Sequence, residues 1–249
     1  MTNRNHGNLI DFRREGVIAR VTLNRPEQHN ALSAALTDQL IAVLEELRND
    51  ENVHCVVLAG GGESFCSGRD VNELRTMLVE GIDLPLTPVP AGRMSLLVRS
   101  LPQVVIAQVH GNALGEGLDL ALACDFTIVA ADAVLGDPHL QQGVVPGAGT
   151  WRMPRLIGAK RAAQLLYLGR RISGSEAAEW GLVTQAVPAA DLDRTVGELS
   201  DQIATLAPFS LRATKQAMRL AEDAPLDQTL DSIARSRTIA AHRTAEARS

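Results

Sequence analysis

Two short glycine-containing segments constrain the fold of this chain more than any other feature of its sequence. The first is Phe65-Cys66-Ser67-Gly68-Arg69-Asp70, and the second runs from Gly111 to Asp119. Each follows an apolar run typical of a buried strand, at residues 55–59 and 104–109. Glycine lets the backbone approach a ligand closely and then enter a helix whose first amides are free. Each segment can therefore direct a backbone N–H at one point, and two such donors form an oxyanion hole.

The apolar pattern around these segments predicts a layered α/β core. Residues 17–23 alternate apolar and polar side chains and residues 126–129 are largely apolar, which favours a strand at each place. Ser33 is suited to cap a helix whose apolar stripe continues to Leu47. The succession of strand, helix and strand is typical of an α/β fold.

Further elements are predicted on either side of this core. Three prolines between residues 84 and 92 predict a loop over the site. A helix is expected over residues 160–168. Another is expected over residues 173–180, with a capping box at its start and Gly181 to end it. The last sixty residues predict amphipathic helices.

Composition excludes several classes of protein. The chain has 249 residues, 45% of them hydrophobic, which is enough for one sizeable core. A formal charge of −5, without a dense run of Lys and Arg, argues against a nucleic-acid partner. No apolar run reaches the length of a membrane span, and Cys55, Cys66 and Cys124 have no CxxC spacing. We therefore expect a cytoplasmic protein with reduced thiols and no membrane partner, and Cys66 is more readily a packed side chain than a nucleophile.

Signatures of other enzyme chemistries are missing from the sequence. There is no P-loop and no GxSxG segment, and no third glycine follows Gly147 and Gly149 as a dinucleotide fingerprint requires. The six histidines show no metal-ligand spacing such as HExxH. We expect neither a metal nor a prosthetic group.

The order of several motifs resembles the crotonase superfamily, that of enoyl-CoA hydratases and isomerases. Besides both glycine segments, the resemblance rests on Asn24-Arg25-Pro26, Asn30-Ala31-Leu32, Val145-Pro146-Gly147-Ala148-Gly149 and residues 172–183. It implies an α/β crotonase (ClpP-like) fold with a layered ββα core. Residues 1–190 would form the core domain with the acyl-CoA site. Residues 191–249 would form a C-terminal helical trimerisation region, which implies a homo-oligomer that is a trimer or a dimer of trimers.

The resemblance also implies an enzyme that stabilises the enolate of an acyl-CoA thioester. The backbone amides of Ser67 and Glu116 are the expected oxyanion donors. Glu116 stands where the family usually has Gly, so its carboxylate is expected to point away from the thioester oxygen. Asp119 and His139 align with two glutamates that hold a water in the hydratases, and they are the expected acid and base. Asp119 lies off the leucine stripe of its helix and should face away from the packed side.

Coenzyme A is expected as part of the substrate, against the turn that contains Arg25, Gln28 and His29. Its adenine would lie near residues 64–68, beginning with Ser64. Arg25 is either a phosphate ligand or a solvated turn residue. Further substrate contacts are expected from Gly68, Arg69, Asp70, Gly115 and Trp151. Trp151 either reshapes the acyl pocket or is a large core side chain.

Hydration of an α,β-unsaturated acyl-CoA, within fatty acid metabolism, is the reaction that this reading favours. An enoyl-CoA isomerase or a C–C bond hydrolase of the same fold remains an alternative. The hydrolases of cyclic diketones carry an Asp in the Pro-Gly-x-Gly segment, where this chain has Ala148. A catalytically silent acyl-CoA binder is the alternative from another class, and it predicts binding without turnover.

Overall fold

The computed structural model describes residues 2–6, 9–79, 90–222, 228, 230–237 and 239. The strands in these ranges are β1 (Thr2–His6), β2 (Ile10–Glu15), β3 (Ile18–Leu23), β4 (Cys55–Gly60), β5 (Val104–Val109), β6 (Asn112–Leu114), β7 (Phe126–Ala130), β8 (Val134–Gly136), β9 (Arg171–Ser173) and β10 (Gln185–Val187). The helices are α1 (Ala34–Arg48), α2 (Val71–Val79), α3 (Pro90–Ser100), α4 (Glu116–Leu122), α5 (Gly149–Leu166), α6 (Gly174–Trp180), α7 (Leu192–Ala204) and α8 (Pro208–Ala221).

Seven strands form the main sheet, in the order β1-β2-β3-β4-β5-β7-β10. Strands β1 to β3 pair antiparallel, whereas β3, β4, β5, β7 and β10 run parallel to one another. Strands β4 and β5 are buried along almost their whole length, as is usual for parallel strands covered on both faces. Because they are adjacent and parallel, the two glycine segments that follow them begin at the same edge of the sheet.

A second sheet of three strands, in the order β6-β8-β9, arranges the region after β5. Strand β6 lies inside the second glycine segment and pairs parallel with β8, which directly precedes residues 137–139. An isolated bridge joins Cys66 to Ala113, so the first glycine segment also contacts this sheet. The small sheet thus brings both glycine segments and residues 137–139 to the start of α4.

Several predicted helix ends are confirmed. The hydroxyl of Ser33 accepts a hydrogen bond from the amide of Leu36 at 3.2 Å and caps α1. The hydroxyl of Ser173 accepts from the amide of Glu176 at 3.1 Å and caps α6. Gly181 ends α6 with a φ of 78°, the left-handed conformation that glycine adopts without strain.

Helix α4 differs from its predicted environment. Every residue from Gly117 to Leu122 is buried, and Asp119 is only 3% exposed. The expectation that Asp119 faces away from the packed side was wrong, because β6, α3 and α5 surround the helix on its other sides. A solvated carboxylate is therefore excluded as an explanation of Asp119.

Several other elements were missed or misplaced. The sequence did not predict six of the strands, namely β1, β2, β6, β8, β9 and β10. Helix α5 begins at Gly149 rather than at residue 160, and a non-helical residue, Gly158, interrupts it. The proline-rich segment 84–92 lies mostly outside the described residues, and α3 already includes Pro90.

The first C-terminal helices pack on the core of the same chain. Helix α7 contacts β4, β5 and β7, and it buries Leu192, Val196 and Ile203. Helix α8 contacts β5. Across the described part of the chain, no helix combines the length and the apolar character needed to cross a bilayer.

Candidate active site

Backbone hydrogen bonds hold the two glycine segments together. The Cys66 amide donates to the carbonyl of Asn112 at 2.9 Å, and the Leu114 amide donates to the carbonyl of Cys66 at 3.0 Å. A Cβ on Gly117 would lie 2.3 Å from the Cys66 carbonyl oxygen, so this close approach requires glycine. The positions of the backbone amides at the site are therefore fixed by main-chain contacts.

A further strand-like contact fixes the turn around Gly68. The Leu32 amide donates to the carbonyl of Gly68 at 2.8 Å, and the Asp70 amide donates to the carbonyl of Leu32 at 3.2 Å. Gly68 itself has a φ of 99°, and a Cβ there would lie 2.8 Å from the Leu114 carbonyl oxygen. The turn is therefore anchored on both sides, by residue 32 and by the second glycine segment.

The Ser67 amide, which was predicted to be the first oxyanion donor, already donates a hydrogen bond within the protein. It donates to the carbonyl oxygen of His29 at 3.0 Å. The Arg69 amide, two residues later, donates instead to a carboxylate oxygen of Glu116 at 3.1 Å. The structure therefore does not support the Ser67 amide as a donor. The backbone reverses direction at Gly68, so that the amide of Arg69 points at the site.

Glu116 also departs from its prediction. Its carboxylate was expected to point away from the site, but Oε2 accepts from the Arg69 amide and lies 3.4 Å from Nε2 of His139. Gly68 lies close to the backbone of Glu116, since a Cβ on Gly68 would be 3.7 Å from the Glu116 amide nitrogen. The backbone amide predicted as the second donor and the carboxylate of the same residue thus share one small region.

A buried aspartate that sequence analysis missed holds His139. Oδ1 of Asp137 accepts hydrogen bonds from the His139 backbone amide at 3.1 Å and from its Nδ1 at 2.5 Å. Asp137 is fully buried and His139 is 7% exposed. The spacing Asp-x-His was the available signal, since a carboxylate two residues before a histidine can bond both its amide and its ring.

The charge on His139 follows from these contacts. Burial acts to lower the pKa of the imidazole, but hydrogen bonds from Nδ1 and Nε2 to Asp137 and Glu116 outweigh it and raise the pKa to about 10. Nδ1 donates to Asp137 and Nε2 faces Glu116, so both ring nitrogens carry a proton near neutral pH. In this arrangement His139 is a proton donor.

Asp119 lies behind the pocket, against the Pro-Gly-x-Gly segment. A Cβ on Gly149 would be 2.8 Å from its Oδ1, and one on Gly147 would be 3.2 Å from its Oδ2. Oδ1 has no hydrogen-bond partner among the described residues, and the same is true of Oδ2 of Asp137. Burial, and then the charge of Asp137, raise the pKa of Asp119 to about 7. Asp119 can therefore exchange a proton near neutral pH.

The described part of the pocket is small. Its volume is about 40 Å³, and it is lined by Ser67, Gly68, Arg69, Val71, Gly115, Glu116, Pro138, His139, Gln142 and Val144. The structure thus brings together six predicted site residues: Ser67, Gly68, Arg69, Gly115, Glu116 and His139. Gly115 donates its amide to the carbonyl of Gly136 at 3.0 Å, which ties the start of α4 to β8.

The residues predicted to contact coenzyme A form two groups. Arg25 and Asp70 form an ion pair at 2.7 Å, and the same nitrogen of Arg25 donates to the carbonyl of Ala31 at 3.0 Å. Asp70 also accepts from the amides of Asn72 and Glu73, so it caps α2. Asp70 is 6% exposed, and its contacts are those of a structural residue.

The second group lies beside the first glycine segment and is exposed only in part. Gln28 and His29 are exposed, and Nδ1 of His29 lies 3.2 Å from the hydroxyl of Ser64. Ser64 is buried, and its hydroxyl also accepts from the side-chain amide of Asn112 at 3.1 Å. These three residues form a continuous edge that leads to Ser67.

The comparisons with known proteins establish the family of this chain. A family model described as Enoyl-CoA hydratase/isomerase matches residues 13–245. The chain belongs to the enoyl-CoA hydratase/isomerase family. It is thus a member of the crotonase superfamily, as its motifs predict, and it is an enzyme of that family.

Individual relatives of this family share most of their length with the chain. The short-chain-enoyl-CoA hydratase of Clostridium acetobutylicum is 34% identical over 226 residues, 90% of this chain and 85% of that protein. The 1,2-epoxyphenylacetyl-CoA isomerase of Escherichia coli is 36% identical over 233 residues, 90% of this chain and 86% of that protein. A crystal structure of an enoyl-CoA hydratase from Bacillus anthracis matches with a TM-score of 0.86 at 36% identity, covering 94% and 91% of the two chains. The predicted crotonase fold is confirmed.

In this enoyl-CoA hydratase/isomerase family member, Trp151 lies away from the small pocket. Its ring packs between the guanidinium groups of Arg99, 5.0 Å away, and Arg155, 4.2 Å away. It lines a separate cavity of about 1060 Å³ beside α8. The described residues therefore do not place Trp151 at the Glu116 and His139 site.

The side-chain thiols of this family member play no visible part in the site. Cys66 is fully buried and donates to the carbonyl of Asn30 at 3.2 Å, and burial raises the pKa of its thiol to about 12. All three cysteines are free, and Cys66 is packed as expected. Among the described residues, no group of three or more His, Cys, Asp or Glu side chains could bind a metal ion.

Proposed function

We propose that this enzyme adds water to the double bond of an α,β-unsaturated acyl-CoA. The observation that carries the proposal is the convergence of a fixed backbone donor, the Arg69 amide, with a protonated imidazole, His139, at one pocket. The similarity to a short-chain-enoyl-CoA hydratase supports the same reaction. Coenzyme A enters as part of the substrate, and the proposal includes no prosthetic group.

The amides of Arg69 and Glu116 are the proposed oxyanion donors. When water adds to the β carbon of an enoyl thioester, negative charge collects on the thioester oxygen, and two N–H groups stabilise it. The Arg69 amide already binds a negatively charged oxygen in this structure. Loss of one donor of this kind typically lowers turnover about 100 to 1,000 fold.

His139 and Asp119 are the proposed acid and base. Held by Asp137 and carrying both ring protons, His139 can deliver a proton to the α carbon of the enolate. Asp119, with its pKa raised to about 7, can take a proton from the attacking water. Asp137 is the positioning residue of this pair, since its carboxylate orients the ring.

Gln28, His29 and Ser64 are the proposed edge against which coenzyme A binds. They are adjacent to Ser67, and the first two are exposed. Arg25 contributes less than predicted, because one of its terminal nitrogens is occupied by Asp70 and Ala31. Gly68 and Gly115 shape the backbone around the thioester, and Asp70 supports the turn from below.

We also propose that residues 191–249 serve oligomerisation, with a trimer or a dimer of trimers as the assembly, and that residues 1–190 carry the site. Exposed apolar side chains on α8, with Met218 68% exposed, support the first part. A cytoplasmic location and a role in fatty acid metabolism complete the proposal. Light scattering during size-exclusion chromatography measures the assembly directly, and a monomer would contradict it.

A double-bond isomerase is the second candidate. The observation that favours it is the matching family model, whose description names isomerases beside hydratases. An isomerase needs one group to move a proton between carbons, and Asp119, with its pKa raised to about 7, could take and return that proton. The product distinguishes the two reactions, since hydration gives a 3-hydroxyacyl-CoA that is heavier by one water, whereas isomerisation gives an enoyl-CoA of unchanged mass.

The deciding experiment follows the absorbance of the conjugated thioester when the enzyme meets crotonyl-CoA. We expect its loss with the wild-type enzyme, and turnover lowered at least about 100-fold by His139→Ala or Asp119→Asn, since each removes one proton-transfer group. Glu198→Gln, an exposed change on α7, is the matched control and should leave the rate unchanged. Full activity in the double variant of Asp119 and His139 would sink the proposed roles, and acyl-CoA binding without turnover in the wild type would favour a silent binder.

A further inference from the structure

The oxyanion site already holds a negatively charged oxygen from the protein itself. Oε2 of Glu116 accepts the hydrogen bond of the Arg69 amide at 3.1 Å. An enolate oxygen would need the same donor, and it would carry the same sign of charge. One N–H cannot bind both oxygens well, so the carboxylate and the substrate oxygen compete for it.

A second contact holds the carboxylate in that position. The same Oε2 lies 3.4 Å from Nε2 of His139, whose other nitrogen is bonded to Asp137. The Glu116 side chain is only 15% exposed and the His139 side chain 9%, so water screens this attraction poorly. Glu116 is therefore bound at two of the groups that the proposed reaction uses, the Arg69 amide and the His139 imidazole.

The space left beside the carboxylate is too small for the substrate. The described pocket has a volume of about 40 Å³, whereas pockets for small ligands span several hundred Å³. No charged side chain other than Glu116 lies between Arg69 and His139 among the pocket-lining residues. Moving this one side chain would expose the Arg69 amide and the imidazole together.

We propose that the Glu116 side chain is an internal ligand of the oxyanion site, which an acyl-CoA must displace before the thioester oxygen can reach the Arg69 amide. The inference rests on the proposed function, since it takes the thioester oxygen as the competing group. Displacement costs part of the binding free energy of the substrate. Glu116 thus weakens acyl-CoA binding and leaves the chemical step to the groups behind it.

The test measures binding without turnover. Butyryl-CoA is saturated and cannot be hydrated, so isothermal titration calorimetry reports its affinity alone. We expect Glu116→Ala to bind butyryl-CoA about tenfold more tightly than the wild type, which is the effect of removing one hydrogen bond to a charged group. Glu116→Gln keeps the length and one acceptor oxygen but no charge, and it should fall between the two.

Kinetics with crotonyl-CoA supply the second readout. The Glu116→Ala variant should show a lower KM, with kcat changed less than KM, because the oxyanion amide of residue 116 remains. Glu198→Gln is again the control for loss of a carboxylate elsewhere. Circular dichroism establishes whether each variant is folded. If Glu116→Ala does not fold, Glu116→Gln still tests the proposal.

The results separate this inference from the proposed function. Equal affinity for butyryl-CoA in the wild type and both Glu116 variants would overturn the inference and leave the function standing. Weaker binding or a large loss of kcat in Glu116→Ala would also overturn it, and would make the carboxylate a group that contacts the bound substrate. If neither the wild type nor any variant binds butyryl-CoA, the proposed acyl-CoA site itself is wrong.

Discussion

The two ends of helix α4 differ in size and in charge. At its amino end, a pocket of about 40 Å³ contains the Glu116 carboxylate, the His139 imidazole and the Arg69 amide. At its carboxyl end, a cavity of about 1060 Å³ is lined mainly by apolar side chains from α4, α5 and α8, among them Leu122 and Leu156. Among the described residues, neither His139 nor Arg69, which carry the proposed acid and oxyanion donor, lines the larger space. Cavity volume is therefore a poor guide to the proposed reactive site.

The charged groups at the two ends also have different partners. At the carboxyl end, the Lys215 ammonium pairs with Asp125 and donates to the carbonyl of Gln103 at 2.5 Å, so the charges of Lys215 and Asp125 have direct partners. At the amino end, Asp119 and Asp137 each keep one buried oxygen without a partner among the described residues. Unpaired buried carboxylates cost stability and are retained where they serve a reaction.

The largest expected effect on stability concerns Asp119. Its folded-state pKa of about 7 lies above its ordinary value of 3.8, so the folded protein binds more protons than the unfolded chain between these values. Stability should fall as pH rises from about 4 to about 7 and change little from this group above that. In Asp119→Asn this slope should vanish, with a gain on the order of 4 kcal/mol at pH 8.

Urea unfolding of the wild type and of Asp119→Asn at several pH values between 4 and 8 checks this expectation. Asp201→Asn, an exposed change on α7, serves as the control. If the stability of wild type and Asp119→Asn depended on pH in the same way, ionisation of Asp119 would not destabilise the amino end of α4 as expected.

A smaller effect is expected at the opposite end, from Lys215→Met. The change keeps the apolar stem but removes the ammonium that joins α8 to Asp125 and to residue 103. Because Asp125 keeps some contact with water, we expect a loss of about 2 to 3 kcal/mol in the free energy of unfolding. Thermal unfolding measures the loss, and kcat/KM for crotonyl-CoA should remain within about twofold. A loss of activity without a loss of stability would show that the carboxyl end of α4 takes part in the reaction.

The smallest effect is expected for Trp151→Leu. The change removes the packing of two guanidinium groups on one ring, each worth about 0.5 to 1 kcal/mol at a partly exposed site. We expect a stability loss of about 1 to 2 kcal/mol and an unchanged KM for crotonyl-CoA. Arg155→Lys, which keeps the charge without the planar group, is the matched variant. A raised KM for crotonyl-CoA in Trp151→Leu would show that Trp151 contributes to binding of the acyl group.

Sequence patterns predicted the strands β3, β4, β5 and β7 well, because burial and period are local properties. The runs that became β4 and β5 are apolar on both faces, and the caps at Ser33 and Ser173 involve residues three apart. Strand β1 was missed because its polar sequence has no apolar alternation, and its pairing with β2 supplies the order. The burial of Asp119 was missed for a similar reason, since α3, α5 and β6 cover a face that looks polar in the helix alone.

The site was predicted at the level of segments, but less well at the level of atoms. Both glycine segments and His139 meet as expected. Which amide faces the pocket depends on a positive φ at Gly68, and a sequence does not say on which side of a glycine the chain turns over. The Asp137 to His139 hydrogen bond was readable from spacing but was overlooked. The contacts of the Glu116 carboxylate were not predictable from local sequence, because they join three chain segments, at residues 69, 116 and 139.

The main-chain bonds that join residues 32, 66, 68 and 114 have a consequence for how this protein could change. They use no side-chain atoms, and so they persist when the side chains around them are replaced. A lineage could therefore alter the group that stands in the pocket, as Glu116 shows, without losing the positions of the two donors. Single substitutions could therefore change which substrates bind, while the backbone N–H groups keep their positions.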